Sequence, residues 1–209
     1  MPANGEKAPV GAVVFDVGRV LFQWNLRHLF AKLIADPAEL EHFVTTVVTE
    51  EWHFQVDQGR PLATVVAERI AEYPQHAALI EAYATRFNET IPAPVDGMIE
   101  VVEQLDASGM PLFAITNFGS EFWPLFRATQ PVFDRFRDIV VSGDEKLFKP
   151  GREIFDLAER RFGLPCHAML FIDDNAANIE SAARLGWQVH HFREAAELVA
   201  DLRDRGLIA

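Results

Sequence analysis

The sequence predicts an α/β fold in which helices cover both faces of a parallel sheet, with an all-helical insertion after the first strand. Through residues 91–209, short apolar segments alternate with amphipathic ones, and short loops join them. This alternation is typical of a parallel sheet that is buried on both sides. Between residues 24 and 90, apolar residues instead recur at helical spacing without an alternating strand pattern. The insertion is therefore expected to be wholly helical.

Apolar spacing and turn residues define the first strand and the insertion. Residues 11–17 form an apolar run typical of a buried strand. Within the insertion, residues 26–34 follow helical spacing, and Asp36-Pro37 supplies an N-cap and a first-turn proline for the next helix. A turn is expected at residues 57–61, where a glycine and a proline occur together. Another helix is expected at 62–73.

The rest of the chain predicts four more strands and four helices, several of which end at a glycine. The expected strands are 111–116, a short one within 136–142, 168–172 and 188–192, and the expected helices are 98–108, 152–162, 175–185 and 194–205. The domain organisation that follows is a flexible N-terminus at 1–10, a core made of 11–23 and 91–209, and a helical cap at 24–90.

Composition excludes several classes of function. The chain has 209 residues, of which 49% are hydrophobic, so it can bury a full core. Its formal net charge of −12 argues against nucleic acid as a partner. The single Cys166 cannot form an intramolecular disulfide. No segment reaches the roughly 18 consecutive apolar residues of a membrane span, and the N-terminus lacks a signal-peptide core. We therefore expect a cytoplasmic protein without a membrane partner.

Polar residues follow several predicted strands, at the edge where open α/β sheets carry their chemistry. Asp16 follows the first strand, Thr116 ends the second, and Asp173-Asp174 follows another. Because parallel strands end along one edge, these side chains are expected to converge, and Lys149 can reach them from a loop. Taken alone, Asp16 is explained equally well as a capping aspartate. The polar residues that are expected to converge with it favour a functional site.

This set of side chains suits nucleophilic attack by Asp16 on phosphorus, which gives an aspartyl-phosphate that water then cleaves. A phosphate that approaches several carboxylates needs a compensating cation, and Mg²⁺ prefers such oxygen ligands. Lys149 balances further charge near the phosphate. The Thr116 hydroxyl and the backbone amides that follow it, beginning with Asn117, are candidates for binding phosphate oxygens.

The residues that carry these signals resemble the four ordered motifs of the haloacid dehalogenase superfamily. The matching segments are Asp16-Val17-Gly18-Arg19-Val20, Ile115-Thr116-Asn117, Lys149-Pro150, and Phe171-Ile172-Asp173-Asp174-Asn175 with Asn178-Ile179. The resemblance runs from about residue 11 to 200. More narrowly, it is to the bacterial hydrolases similar to α-D-glucose-1-phosphate phosphatase, a likeness that the Phe-Trp-Pro at residues 122–124 also supports.

The resemblance implies a Rossmann-like three-layer core, a helical cap inserted after the first strand, and Asp16 as the nucleophile. It also implies that Mg²⁺ is held by Asp16, the Gly18 carbonyl and one of the pair Asp173 and Asp174, with Asp174 favoured as the direct ligand. The catalytic set is therefore Asp16, Thr116 and Lys149, and the substrate-binding set is Thr116, Asn117 and Lys149. The expected partner is a small phosphorylated metabolite.

One position departs from the pattern of most phosphatases in this superfamily, which carry an aspartate two residues after the nucleophile. That aspartate protonates the leaving oxygen, and Gly18 occupies its place here. A sugar 1-phosphate has a better leaving group than an ordinary alkyl phosphate and tolerates this loss more easily. Arg19, Gln23 and His53 are other candidate donors, although pairing with cap acids, helix capping and an ordinary cap histidine explain them without a catalytic role.

Three functional classes stay open. A Mg²⁺-dependent phosphatase is favoured, with sugar phosphates among its candidate substrates. A 2-haloacid dehalogenase also uses an aspartate nucleophile but needs no metal, and Asp173-Asp174 would repel its anionic substrate. A non-catalytic binding protein of the same fold is the third, supported only by Gly18. Substrate choice is expected to lie in the cap, for which we select Trp52, Phe54, Asp57 and Arg60 as candidates, with cap packing as the alternative.

Overall fold

The computed structural model describes residues 9–209, with a five-stranded parallel sheet at its centre. In spatial order the strands are β3, β2, β1, β4 and β5. Their bounds are β1 Ala12–Phe15, β2 Leu112–Thr116, β3 Asp138–Val141, β4 Met169–Asp173 and β5 Gln188–His191. The order places β1 at the centre, with β2 and β4 as its two neighbours. Of the predicted flexible N-terminus, residues 1–8 lie outside the described residues.

Helices join the strands and follow the last of them. They are α1 Arg27–Phe30, α2 Pro37–His42, α3 Glu50–Asp57, α4 Leu62–Glu72, α5 Ala77–Arg86, α6 Met98–Ala107, α7 Trp123–Arg127, α8 Ser142–Glu145, α9 Arg152–Phe162, α10 Ala176–Arg184 and α11 Ala195–Asp204. A π-helical turn occupies Phe43–Val47, and 3₁₀ turns occupy Pro74–His76, Phe87–Thr90, Pro131–Arg135 and Cys166–Ala168. Across residues 9–209, none of the helices has the length and apolar character needed to cross a bilayer.

The sheet is buried on both faces. Successive strand residues point to opposite sides, so each strand contributes to two apolar clusters. In β1, Val13 and Phe15 join one apolar cluster, whereas Ala12 and Val14 join another. The first cluster includes side chains of α6 and α11, and the second includes side chains of α9 and α10. The predicted α/β fold with a parallel sheet covered on both sides is confirmed.

Between α1 and the end of the 3₁₀ turn at Thr90, the described chain contains helices and turns but no strand. Asp36 caps α2 as predicted, because its Oδ1 accepts hydrogen bonds from the amides of Ala38 at 2.9 Å and Glu39 at 2.8 Å. Thr49 caps α3 in the same way through the Trp52 amide. The division of the chain into a core at 11–23 and 91–209 and a cap at 24–90 stays a prediction.

One segment of the insertion differs locally from the sequence prediction. The apolar run at 26–34 forms only a single helical turn, α1, before the chain turns towards α2. The short strand expected within 136–142 is β3, which begins at Asp138 and ends before Ser142, the first residue of α8. The end of β3 matters for the site, because the Ser142 hydroxyl contacts both the helical segment and the loop after β2. It accepts a hydrogen bond from the Phe118 amide at 2.9 Å and donates one to the Asp57 carbonyl at 2.5 Å.

Candidate active site

Asp16 lies at the centre of the sheet edge, in the loop that follows β1. Its amide donates to the Ile172 carbonyl at 2.8 Å, so the backbone hydrogen bonding between β1 and β4 continues one residue beyond the strand. The loop then turns tightly at Arg19, which adopts a left-handed backbone with φ of 60°. Asp16 is 9% exposed, and Asp16 and Gly18 both line a cavity at this edge of the sheet.

The ammonium group of Lys149 joins two carboxylates at this edge. Its Nζ lies 2.8 Å from Oδ1 of Asp16 and 2.7 Å from Oδ2 of Asp173, and the residue is 1% exposed. Asn117 fixes the Lys149 backbone, because its Nδ2 donates to the Lys149 carbonyl and its Oδ1 accepts from the Lys149 amide, both at 3.0 Å. The side-chain amide of Asn117 is therefore engaged in positioning the lysine.

Asp173 and Asp174 have different surroundings although they are adjacent in sequence. Asp173 is fully buried and accepts four hydrogen bonds: one from Lys149, two from Asn178 Nδ2 at 3.1 Å each, and one from the Asn175 amide at 2.8 Å. Asp174 is only partly buried and lines the cavity. Asp173 is thus held by the protein itself, whereas Asp174 faces the space in which a ligand would bind.

The three aspartates form one cluster of negative charge. One carboxylate oxygen each from Asp16, Asp173 and Asp174 lie within 4.8 Å of one another. Hard oxygen ligands at this spacing are the type of donor set that a small divalent cation takes. The single ammonium of Lys149 balances only part of the charge.

Burial and mutual repulsion affect proton binding in this cluster. Burial raises the pKa of Asp16 to about 7, with Lys149 opposing this shift and Asp173 and Asp174 reinforcing it. Burial and then Asp173 raise the pKa of Asp174, against the attraction of Arg19 and Lys149. Burial lowers the pKa of Lys149, but the attraction of Asp16 and Asp173 outweighs it and raises that pKa above its ordinary value. The lysine therefore stays charged, while Asp16 is sensitive to pH near neutrality.

The cluster opens into a cavity of about 420 Å³ between the sheet edge and the helical segment. The core contributes Asp16, Gly18, Lys149, Asp174 and their neighbours, and the helical segment contributes polar and aromatic side chains from α3 onward. The latter are Glu50, Glu51, His53, Phe54, Asp57 and Phe87. Of the predicted phosphate-binding residues, Asn117 lines the cavity, whereas among the described lining residues Thr116 is absent; it is buried at the end of β2.

Of the residues selected for specificity, some line the cavity and others pack or form ion pairs elsewhere. Phe54 and Asp57 line the cavity, but Trp52 packs edge-on against Tyr83 and Arg60 pairs with Glu68. Arg19 pairs with Glu50 and lies over the Trp24 ring at 4.7 Å.

Two other candidate donors are also engaged. Gln23 donates to the Pro94 carbonyl at 3.5 Å, and both ring nitrogens of His53 have partners, Tyr83 and Asp57.

Sequence reasoning did not identify the buried chain of contacts from Tyr83 through His53 to Asp57. The i, i+4 spacing of His53 and Asp57 on α3 is a signal that places both on one helix face. Tyr83 lies 30 residues from His53 in sequence, and no local pattern connects the two. Glu50, which pairs with Arg19 across the cavity, was likewise not singled out.

Comparison with known proteins identifies the class to which this fold and site belong. The family model described as haloacid dehalogenase-like hydrolase matches residues 10–186. The chain therefore belongs to this family and is a hydrolase.

Individual relatives agree with that assignment. The chain is 23% identical over 198 residues to the sesquiterpene phosphatase astK of Aspergillus oryzae, with 92% of this chain and 94% of the relative covered. It is 28% identical over 96 residues to an (S)-2-haloacid dehalogenase of Pseudomonas putida, with 46% and 42% covered. Among solved structures, a haloacid dehalogenase family enzyme of Bacteroides thetaiotaomicron in complex with magnesium and inorganic phosphate superposes with a TM-score of 0.65 at 18% identity, covering 89% of this chain and 96% of that one.

Proposed function

We propose that the protein is a Mg²⁺-dependent phosphatase that hydrolyses a small phosphate monoester through an aspartyl-phosphate on Asp16. The observation that carries this proposal is the cluster in which oxygens of Asp16, Asp173 and Asp174 lie within 4.8 Å of one another, with the Lys149 ammonium bound between two of them. A phosphate dianion that approaches this cluster meets net negative charge. A divalent cation removes that repulsion.

The donor set fits such a cation. We assign Asp16, Asp174 and the Gly18 carbonyl as its protein ligands, because all three residues line the cavity. Asp173 already accepts hydrogen bonds from Lys149, Asn178 and the Asn175 amide, so we assign it the role of holding the lysine and the loop in place. When bound, Mg²⁺ supplies positive charge to the phosphate oxygens.

In the proposed reaction, a carboxylate oxygen of Asp16 attacks phosphorus, and the new O–P bond forms as the bond from phosphorus to the ester oxygen breaks. Water then cleaves the acyl phosphate, which regenerates Asp16 and releases inorganic phosphate. Lys149 orients the nucleophile through its contact at 2.8 Å and offsets charge in the transition state. We place the loop that begins at Asn117 beside the phosphate oxygens, because Asn117 lines the cavity whereas Thr116 is buried at the end of β2. Gly18 has no side chain to protonate the departing oxygen.

Two relatives support phosphate chemistry. The relative that is matched along almost its whole length is named a phosphatase, and the superposed Bacteroides enzyme binds magnesium and inorganic phosphate. The dehalogenase relative is matched over less than half of its length. Asp174, which adds a carboxylate to the cavity, disfavours the anionic substrate of a metal-free dehalogenase. A sugar phosphate is one member of the proposed substrate class.

The test compares p-nitrophenyl phosphate hydrolysis with Mg²⁺ and with EDTA, alongside chloride release from chloroacetate. We expect phosphate release that needs Mg²⁺, and we expect Asp16→Asn to reduce it by more than a thousandfold because the nucleophile is lost. Asp204→Asn makes the same chemical change at an exposed position at the end of α11 and serves as the matched control. Metal-independent chloride release, or full phosphatase activity of Asp16→Asn, would contradict the proposal.

A further inference from the structure

The cavity wall contributed by α3 contains a carboxylate that the proposed phosphoryl chemistry does not use. Asp57, the last residue of α3, is 5% exposed and lines the cavity. Its Oδ2 lies 3.2 Å from Nε2 of His53, whereas its Oδ1 has no hydrogen-bond partner among residues 9–209. A buried carboxylate oxygen without a donor is energetically costly, so this atom is the position where a donor from a ligand gains most.

The contacts behind Asp57 fix its orientation. Because a carboxylate only accepts, Nε2 of His53 carries the hydrogen of the bond to Asp57, and Nδ1 forms a hydrogen bond with the Tyr83 hydroxyl at 2.6 Å. The His53 ring stacks on Phe87 at 5.2 Å and lies 5.1 Å from the Trp24 ring. The Ser142 hydroxyl donates to the Asp57 carbonyl at 2.5 Å. The carboxylate is therefore presented by a packed scaffold.

The charges that line the cavity limit what the leaving group can be. Five carboxylates and two cations line it, and both cations already have carboxylate partners: Arg19 pairs with Glu50, and Lys149 pairs with Asp16. A leaving group with a negative charge of its own would face these carboxylates. Among the described lining residues, neither cation is free to pair with it. A neutral or positively charged leaving group meets no such repulsion, and the rings of Trp24, Phe54 and Phe87 offer it apolar surface.

We propose that Asp57 is the specificity-determining acceptor for a hydroxyl or ammonium group on the leaving group. The substrate class is then phosphate monoesters of neutral or cationic alcohols that combine an apolar face with a hydrogen-bond donor. This inference rests on the proposed phosphatase function. Asp57 acts on recognition of the leaving group, and the phosphoryl group is handled at the sheet edge.

The test uses aryl phosphates whose leaving groups differ only in one substituent. Phenyl phosphates with methyl, hydroxymethyl, aminomethyl or carboxymethyl groups, each in the meta and para positions, are assayed with Mg²⁺ for kcat and KM. For wild type we expect the better hydroxymethyl or aminomethyl isomer to exceed the methyl compound in kcat/KM by about tenfold or more, and the carboxymethyl compounds to fall below it.

The main variant is Asp57→Asn, which keeps the size of the side chain and one oxygen acceptor for His53. When the amide oxygen keeps the bond to His53, the amide N–H2 group faces the ligand in place of an acceptor. We therefore expect the preference for the aminomethyl compound to fall about tenfold, while kcat/KM for the methyl compound changes by less than about threefold. Glu81→Gln removes the same charge from an exposed site on α5 and is expected to leave the preference unchanged.

Each outcome bears on a different part of the reasoning. Wild-type turnover of the panel without a donor preference, or equal losses on all compounds in Asp57→Asn, would overturn the role of Asp57 and leave the phosphatase proposal intact. Lack of phosphate release from every compound would overturn both. The absence of a wild-type preference overturns the role of Asp57 without any variant, so the inference can be refuted even if Asp57→Asn is poorly folded.

Discussion

Replacement of Lys149 by methionine is expected to destabilise the fold, because it removes an ammonium that is held between two buried carboxylates. Asp16 Oδ1 and Asp173 Oδ2 lie 2.8 and 2.7 Å from Nζ, and all three side chains are buried. Removing one partner of a buried ion pair costs about 3–5 kcal/mol, since the remaining charge has lost its compensation. Asp173 keeps its bonds to Asn178 and the Asn175 amide, so most of the loss is expected to arise at Asp16.

The loss of stability in Lys149→Met is expected to grow as pH rises. The folded-state pKa of Asp16 is already raised to about 7, above its ordinary value of 3.8, and Lys149 is the group that restrains the shift. Without the lysine the pKa rises further. A carboxyl whose folded pKa is raised contributes stability that is present below its unfolded pKa and is lost as pH rises through the folded pKa. The Lys149→Met variant is therefore expected to lose most stability at about pH 8 and least near pH 5.

Urea unfolding of wild type, Lys149→Met, Asp16→Asn and the double variant, without metal, measures the effect. The double variant lacks both the ammonium and the Asp16 charge, so we expect it to be more stable than the sum of the single changes predicts, by about 1–3 kcal/mol. A loss below about 1 kcal/mol in Lys149→Met at pH 8, or strict additivity in the double variant, would refute the view that Lys149 compensates Asp16.

Two further predictions concern the metal and the leaving group. Because a proton on Asp16 competes with the cation, we expect the apparent Kd for Mg²⁺ to rise by up to about tenfold per pH unit below about pH 7. Titration calorimetry measures this Kd. A Kd that stays constant from about pH 5.5 to about pH 8.5 would contradict Asp16 as a ligand. Because Gly18 supplies no proton, we expect kcat/KM to fall steeply as leaving-group pKa rises across substituted phenyl phosphates; a flat dependence would indicate a proton donor within the site.

The sequence predicted the convergence of the site residues because topology alone decides it. Once β1, β2 and β4 are recognised as parallel neighbours, Asp16, Thr116 and Asp173 must end at the same edge. The approach of Lys149 was also predicted. The hydrogen bonds from Asn117 to both backbone groups of Lys149 were not, although they explain how a loop residue is held there.

Adjacent residues with identical side chains show where sequence reasoning ends. Asp173 is the last residue of β4 and is saturated by donors from α10 and Lys149, whereas Asp174 lies beyond the strand and lines the cavity. The distinction depends on which way each side chain points and on what the next helix offers. Asn178, five residues after Asp173, supplies two of the donors, and its effect appears only once α10 is packed against the strand.

The sheet edge and the cavity wall formed by α3 have different electrostatic surroundings, and this difference relates Gly18 to Asp57. At the sheet edge, charge is concentrated on Asp16, Asp174 and Lys149, which suits a phosphoryl group and a cation. At the wall formed by α3, Asp57 contacts His53, whose ring packs against Trp24 and Phe87, and an anionic leaving group would be repelled there. An aspartate in place of Gly18 would add another carboxylate to a cavity that five already line. Its absence favours substrates whose leaving oxygen departs readily, and Asp57 then selects among them by the donor they carry.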